Sequence, residues 1–308
     1  MDKAKKWSKV TGCVFALLLV IYCVYAVTQS RHFDDLQPNA SAPKNGVLVS
    51  TTADLMDQML EKWLPNDILL PRVVIDDVPN WQLGNLDIIR HNARVLRDDL
   101  SRMRTTDQID ADLEESFKLF ANDEFKWIVP SAEGKFSDGV SSLRSYGKRL
   151  ESGEAKFYPR ADNLLKLIEQ YISALGGINT RLINAKGGPS LSYETEGDSS
   201  TSRESMVDTQ VSWFKIDDNL FYARGAAYAL LHSMKAVRVD FEDVLEDKNS
   251  KELVNKIIEI LERCDLSPMI VFNADYDSIF ANHSTSMAAL LQDVRAKMTS
   301  LSRALRDG

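Results

Sequence analysis

The stretch Ile216–Phe241, IDDNLFYARGAAYALLHSMKAVRVDF, decides the fold. A short apolar hook ends at Asp217 and Asp218, and a long alanine-rich run follows. Ala223, Ala226, Ala227, Leu230, Met234, Val237 and Phe241 recur at the spacing of one helix face. The small residues on that face permit close approach of a second helix. The same layout occurs at Ile75–Leu100, IDDVPNWQLGNLDIIRHNARVLRDDL. An offset of 141 positions (216 − 75) keeps Asp76/Asp217, Asp77/Asp218, Gly84/Gly225, His91/His232, Arg97/Arg238 and Asp99/Asp240 in register without a gap. An internal duplication of a helical unit is therefore expected.

Outward from this pair, the spacing predicts further helices. One begins at Thr52-Ala53-Asp54 and carries Leu55, Met59 and Trp63. Another carries Phe136, Val140, Leu143 and Leu150. A long one spans Phe157–Leu182, one spans Ser250–Arg263 with Asn249 as its N-cap, and the last carries Met287, Leu290, Val294, Met298 and Leu301. Residues 105–122 are acidic and only weakly periodic. Lys186–Gln210 is rich in Ser, Thr, Gly and acids, and reads as a mobile loop. Strand alternation is almost absent, so the fold class is all-α, a helical bundle.

At the N-terminus, Val10–Val27 is an 18-residue run without a charge, about 27 Å long as a helix, enough to cross a hydrocarbon core. Lys3, Lys5, Lys6 and Lys9 precede it, whereas Arg31 is balanced by Asp34 and Asp35. The positive side stays in the cytoplasm. The expected organisation is a cytoplasmic stub (1–9), a transmembrane helix (10–27), a flexible tether (28–50) and a periplasmic helical domain (51–308). A cleaved signal peptide ending near Val24-Tyr25-Ala26 is the alternative.

The net charge of −8, with no long basic run, argues against nucleic acid as a partner. Of three cysteines, Cys13 and Cys23 lie in the apolar run, which leaves Cys264 alone in the body. A disulfide framework within the body and a Cys-only metal site are thereby excluded.

Several residues are candidates for function. On a helical wheel His232 lies roughly 160–170° from the centre of its apolar stripe, and His91 also lies away from its own. Each is then solvent-facing, hydrogen-bonded at a second interface, or a ligand or catalytic group. With His283 they could converge on zinc from three helices, but no spacing shows that they do, and no cofactor is implied. Asp217 and Asp218 are helix caps or, paired with the carboxylates of the other repeat, glycosidase-like acids. Arg90, Arg94, Arg97 and Arg104 form a basic strip, either stems lying over the core edge or a receiver of acidic groups or lipid headgroups. No nucleophile elbow, HExxH, Walker loop or dinucleotide fingerprint occurs, so nothing gives a positive reason to expect an enzyme.

The segments Leu64-Pro65-Asn66-Asp67, Phe157-Tyr158-Pro159-Arg160-Ala161-Asp162-Asn163-Leu164, Ile216-Asp217-Asp218, Ala223-Arg224-Gly225 with His232, Asp247-Lys248-Asn249 and Ala281-Asn282-His283-Ser284 carry a resemblance. Together they resemble a family of single-span bacterial inner-membrane proteins defined as a domain of unknown function. The resemblance implies a Gram-negative inner-membrane anchor and a periplasmic body, and supplies no catalytic residues. The expected role is a scaffold or accessory subunit binding another envelope protein. The alternative is an envelope hydrolase or metal-dependent enzyme using His91, His232, His283 and nearby acids.

Overall fold

The two matched runs form a parallel helix pair at the centre of the computed structural model, which describes residues 45–66, 77–104, 106–184, 189–194, 203–208, 214–266 and 283–307, together with Leu36 and scattered helical positions between Gly12 and Tyr22. The helices are α1 (Val47–Leu60), α2 (Asp77–Val95), α3 (Ala111–Phe120), α4 (Ala132–Ser152), α5 (Ala161–Asn184), α6 (Phe214–Asp240), α7 (Glu242–Asp247), α8 (Lys251–Glu262) and α9 (His283–Asp307). A π-helical turn, Leu96–Leu100, continues α2. The all-helical class is observed, with one local exception. Pro189–Glu194 and Arg203–Asp208, inside the expected loop, pair as an antiparallel hairpin with Pro189 opposite Asp208.

Asn80 bonds Asp218, Gly84 abuts Tyr222, and Asn92 bonds Ser233, so the contacts advance in the same direction along α2 and α6. The glycines explain how closely these backbones approach. A methyl group at Gly84 would lie 2.0 Å from the Tyr222 carbonyl oxygen, and one at Gly225 would lie 1.9 Å from the Trp81 carbonyl oxygen. Tyr222 and Trp81 are themselves 141 apart, so each helix offers the other the same patch. Matching extends outward. Arg97 approaches Glu114 at 3.4 Å, and Arg238 approaches Asn255, again 141 further on, also at 3.4 Å.

Around this pair lie two sets of four helices with the same neighbours. In α1–α4, successive helices pack on each other and the first packs on the last; α5, α6, α8 and α9 repeat the pattern. Each set's first helix also packs on the other set's central helix, α1 on α6 and α5 on α2. Where these meet, Asn92 ties four helices together. Its amide donates to Thr52 of α1 (3.2 Å) and Ser233 of α6 (2.9 Å), and its oxygen accepts from Tyr171 of α5 (2.6 Å). Every member of this polar cluster is buried, so its mutual satisfaction is what makes it tolerable in a core.

Several boundaries differ from expectation. Helix α1 starts at Val47, within the expected tether, because Val47, Leu48 and Val49 are buried and their N-terminal N–H groups find a distant acceptor. Val47 and Leu48 donate to the Asp240 carboxylate at 3.1 and 2.8 Å. The acidic run hides α3, capped by Asp110 and holding Leu113, Leu119 and Phe120 inward. Helix α8 takes Ser250 as its N-cap, while Asn249 adopts a positive φ of 48°. Helix α5 begins at Ala161, four residues later than expected, after Pro159. Among the described residues no helix is long and apolar enough to cross a membrane. The expected stub and most of the expected span Val10–Val27 fall outside them.

Candidate functional site

The basic strip is spent largely on internal contacts. Arg90 donates to the Phe120 and Asn122 carbonyls, both at 2.7 Å, and pairs with Glu124 at 2.9 Å. It thus supplies positive charge to the C-terminal end of α3, where carbonyls lack intrahelical donors. Arg97 pairs with Asp98 at 2.8 Å and stacks its guanidinium 3.7 Å from the Phe117 ring centre. Its pKa is raised, first by the hydrogen bond to Asp98. Arg94 and Arg104 are exposed. The four arginines therefore do not face one ligand together.

The histidines are also separated by role. His91 is half-buried, with Nδ1 3.2 Å from the Gln170 amide oxygen and Nε2 3.8 Å from Asp87. His232 is only 3% exposed, packed edge-on against Tyr228 at 4.6 Å, which corrects the solvent-facing option. The wheel assumed one buried face. However, α6 also packs on α1, α2, α5, α8 and α9, so the face that carries His232 is covered as well. His283 opens α9. Among the described residues no three His, Cys, Asp or Glu side chains are grouped to hold a metal ion. Asp217 and Asp218 lie in the first turns of α6 rather than before it. Asp218 accepts from Asn80 at 2.6 Å across the central pair, and Asp217 accepts from the Asp218 N–H at 3.0 Å.

Sequence reasoning missed a recess of about 310 Å³ lined by Trp81, Arg224, Tyr228, Leu231, Lys235, Glu262 and Asp265. Arg224 is buried and pairs with the exposed Asp265 at 2.6 Å; Lys235 pairs with Glu262 at 3.1 Å. Trp81 and Tyr228 form an aromatic wall, their ring centres 5.1 Å apart. Two cations, two acids and two large rings around one hollow suit polypeptide side chains better than a single small anion. The only early signal was Ala223-Arg224-Gly225, a charge next to the central glycine. The Tyr228 hydroxyl donates to Gln58 of α1 at 3.0 Å and accepts the Leu36 N–H at 3.2 Å. Leu36, expected within the free tether, is partly buried against the body.

A second feature projects from the α3–α4 connection. Trp127, Ile128 and Val129 are 60, 63 and 90% exposed, with Phe125 half-exposed at their base. The neck below them is held firmly. Lys126 O accepts from Ala132 N–H (2.8 Å) and from the Asn66 amide (3.1 Å), and Glu124 O accepts from the Trp63 indole (3.3 Å).

Asp240 and Cys264 are two further buried titratable groups. Burial pushes the Asp240 carboxyl up to about 6, opposed by the backbone N–H groups that it accepts. Burial likewise pushes the Cys264 thiol up to about 12, which makes it inert as a nucleophile.

No curated protein and no solved structure matches the chain. A family model described as an uncharacterised protein conserved in bacteria, DUF2333, matches residues 3–308. The match takes in both four-helix sets, the recess and the exposed loop, and the chain belongs to that bacterial family.

Proposed function

We propose that this protein is a membrane-anchored, periplasmic helical scaffold that binds another envelope protein through the Trp81–Arg224–Tyr228 recess, and that its two four-helix sets arose by duplication. The composition of the recess carries the reading, because Tyr228 and the Arg224 guanidinium, backed by the buried Trp81, are of the side-chain types that dominate protein-binding energetics. The pairing of Arg224 with exposed Asp265 leaves an exchangeable partner at the rim, one that an incoming carboxylate can replace. The apolar run Val10–Val27 with its lysine flank supports the anchor and the side of the membrane.

A photo-crosslinking side chain at Lys235, in the full chain in intact cells, is expected to capture one partner protein at near-stoichiometric yield. Changing Arg224 to Ala is expected to reduce capture at least tenfold. Recovery of only intramolecular or self-adducts would sink the scaffold reading, and a fusion to Gly308 active only in the cytoplasm would sink its compartment.

A further inference from the structure

We propose that the loop Phe125–Val129 is a finger that dips into the outer leaflet of the lipid bilayer carrying the anchor, and so fixes how the body stands on the membrane. The inference rests on the membrane-anchored reading above.

The exposure argues for lipid. Trp127, Ile128 and Val129 are three consecutive apolar side chains held in solvent, and none of them lines the Trp81–Arg224–Tyr228 recess. Charged and polar groups collect at the neck instead. Asp123 caps the Phe125 N–H at 3.0 Å, Arg90 holds Glu124, and Glu133 accepts from Asn66 at 2.9 Å. An apolar tip above a polar collar, with tryptophan at the transition, matches the layering of a membrane interface. The bonds from Trp63, Asn66, Arg90 and Ala132 hold the neck in place, so the tip is presented without an ordering cost at insertion.

The route of the chain argues for the same surface. Leu36 meets the body at Tyr228, which also bonds Gln58 near the C-terminal end of α1. Trp63 and Asn66, just beyond that end, hold the finger's neck. The N-terminal segment therefore joins the body at the end from which the finger projects. Val27 and Leu36 are nine residues apart, a reach of at most about 30 Å. A finger this small binds bilayers weakly from solution, but the anchor converts insertion into an intramolecular step at high effective concentration.

The test uses the full chain in phosphatidylethanolamine/phosphatidylglycerol vesicles with brominated acyl chains, read by tryptophan fluorescence. Trp127→Phe is expected to lower the bromine-quenched signal by about half, since Trp7 remains beside the span. A lipid-soluble photoreactive group placed at Val129, which is almost fully exposed and carries no packing, is expected to label lipid. Equal quenching of wild type and Trp127→Phe overturns the finger while leaving the anchor intact. A protein adduct at Val129, to a partner or to a second copy, overturns it as well. A chain that fails to co-float with vesicles removes the anchor, and the finger with it.

Discussion

At the residue scale, Asp240 shows how a side chain far along the sequence can start a helix. Its carboxylate takes the N–H groups of Val47 and Leu48, 193 and 192 residues away, in the role an adjacent N-cap would play. Its match, Asp99, is likewise raised in pKa, first by burial, and sits in the field of Asp162 and Lys166 at the start of α5. Because folding raises the Asp240 pKa from 3.8 to about 6, the folded chain holds a proton that the unfolded chain has lost between those values. Its contribution is fully present below pH 3.8 and declines as the pH rises through about 6. The change is on the order of 3 kcal/mol. Denaturant titrations of Asp240→Asn across that window should show a flatter pH dependence than wild type. Asp240→Ala leaves two buried donors unmet and should lose about 2–4 kcal/mol at neutral pH. The Asp99/Asp240 correspondence was legible in the sequence; the helix that Asp240 starts was not, because a cap is ordinarily sought next door. The solvent-facing option for His232 failed for a related reason, since a wheel describes one helix and not those packed around it.

At the element scale, Gly84 and Gly225 allow α2 and α6 to touch backbone to backbone. Unlike a clash with a side chain, one with a carbonyl oxygen cannot be relieved by a rotamer change. Gly84→Ala and Gly225→Ala should each destabilise by about 3 kcal/mol or more. The double variant should cost less than the sum, because the displacement that accommodates one methyl group makes room for the other. Equilibrium unfolding of the three variants measures both effects. The duplication was readable beforehand from the ungapped match, but the seating of the two glycines on each other was not, because the alanines of the apolar face were the small residues expected to make the close approach. Helix α3 was not, since its inward positions Leu113, Ser116, Leu119 and Phe120 include a serine and are crowded by acids. The hairpin at 189–208 also eluded the reading, as Ser/Thr-rich composition says little about pairing.

At the scale of the whole molecule, the swapped packing of α1 on α6 and α5 on α2 makes neither four-helix set a complete core. Residues 28–155 and 156–308 expressed separately should show weak near-ultraviolet circular dichroism and no cooperative melting. Mixed or co-expressed, they should co-purify one to one and regain a single transition. Independent cooperative folding of either piece would contradict the interlocked arrangement. The recess lies beyond what a sequence can show, because it is assembled from positions brought together only by folding, and the finger, although contiguous, has a composition that does not tell an exposed apolar run from a buried one. Trp81 and Asp265, for example, line one hollow from opposite parts of the chain.

The mutual seating of Gly84 and Gly225 has a further consequence. Between separate polypeptides, a patch that recognises its own copy would close a homodimer whose population rises and falls with concentration. Written into one chain, the same contact is immune to dilution. Its halves are also released from having to stay alike, so Arg97 can meet Glu114 where Arg238 meets Asn255.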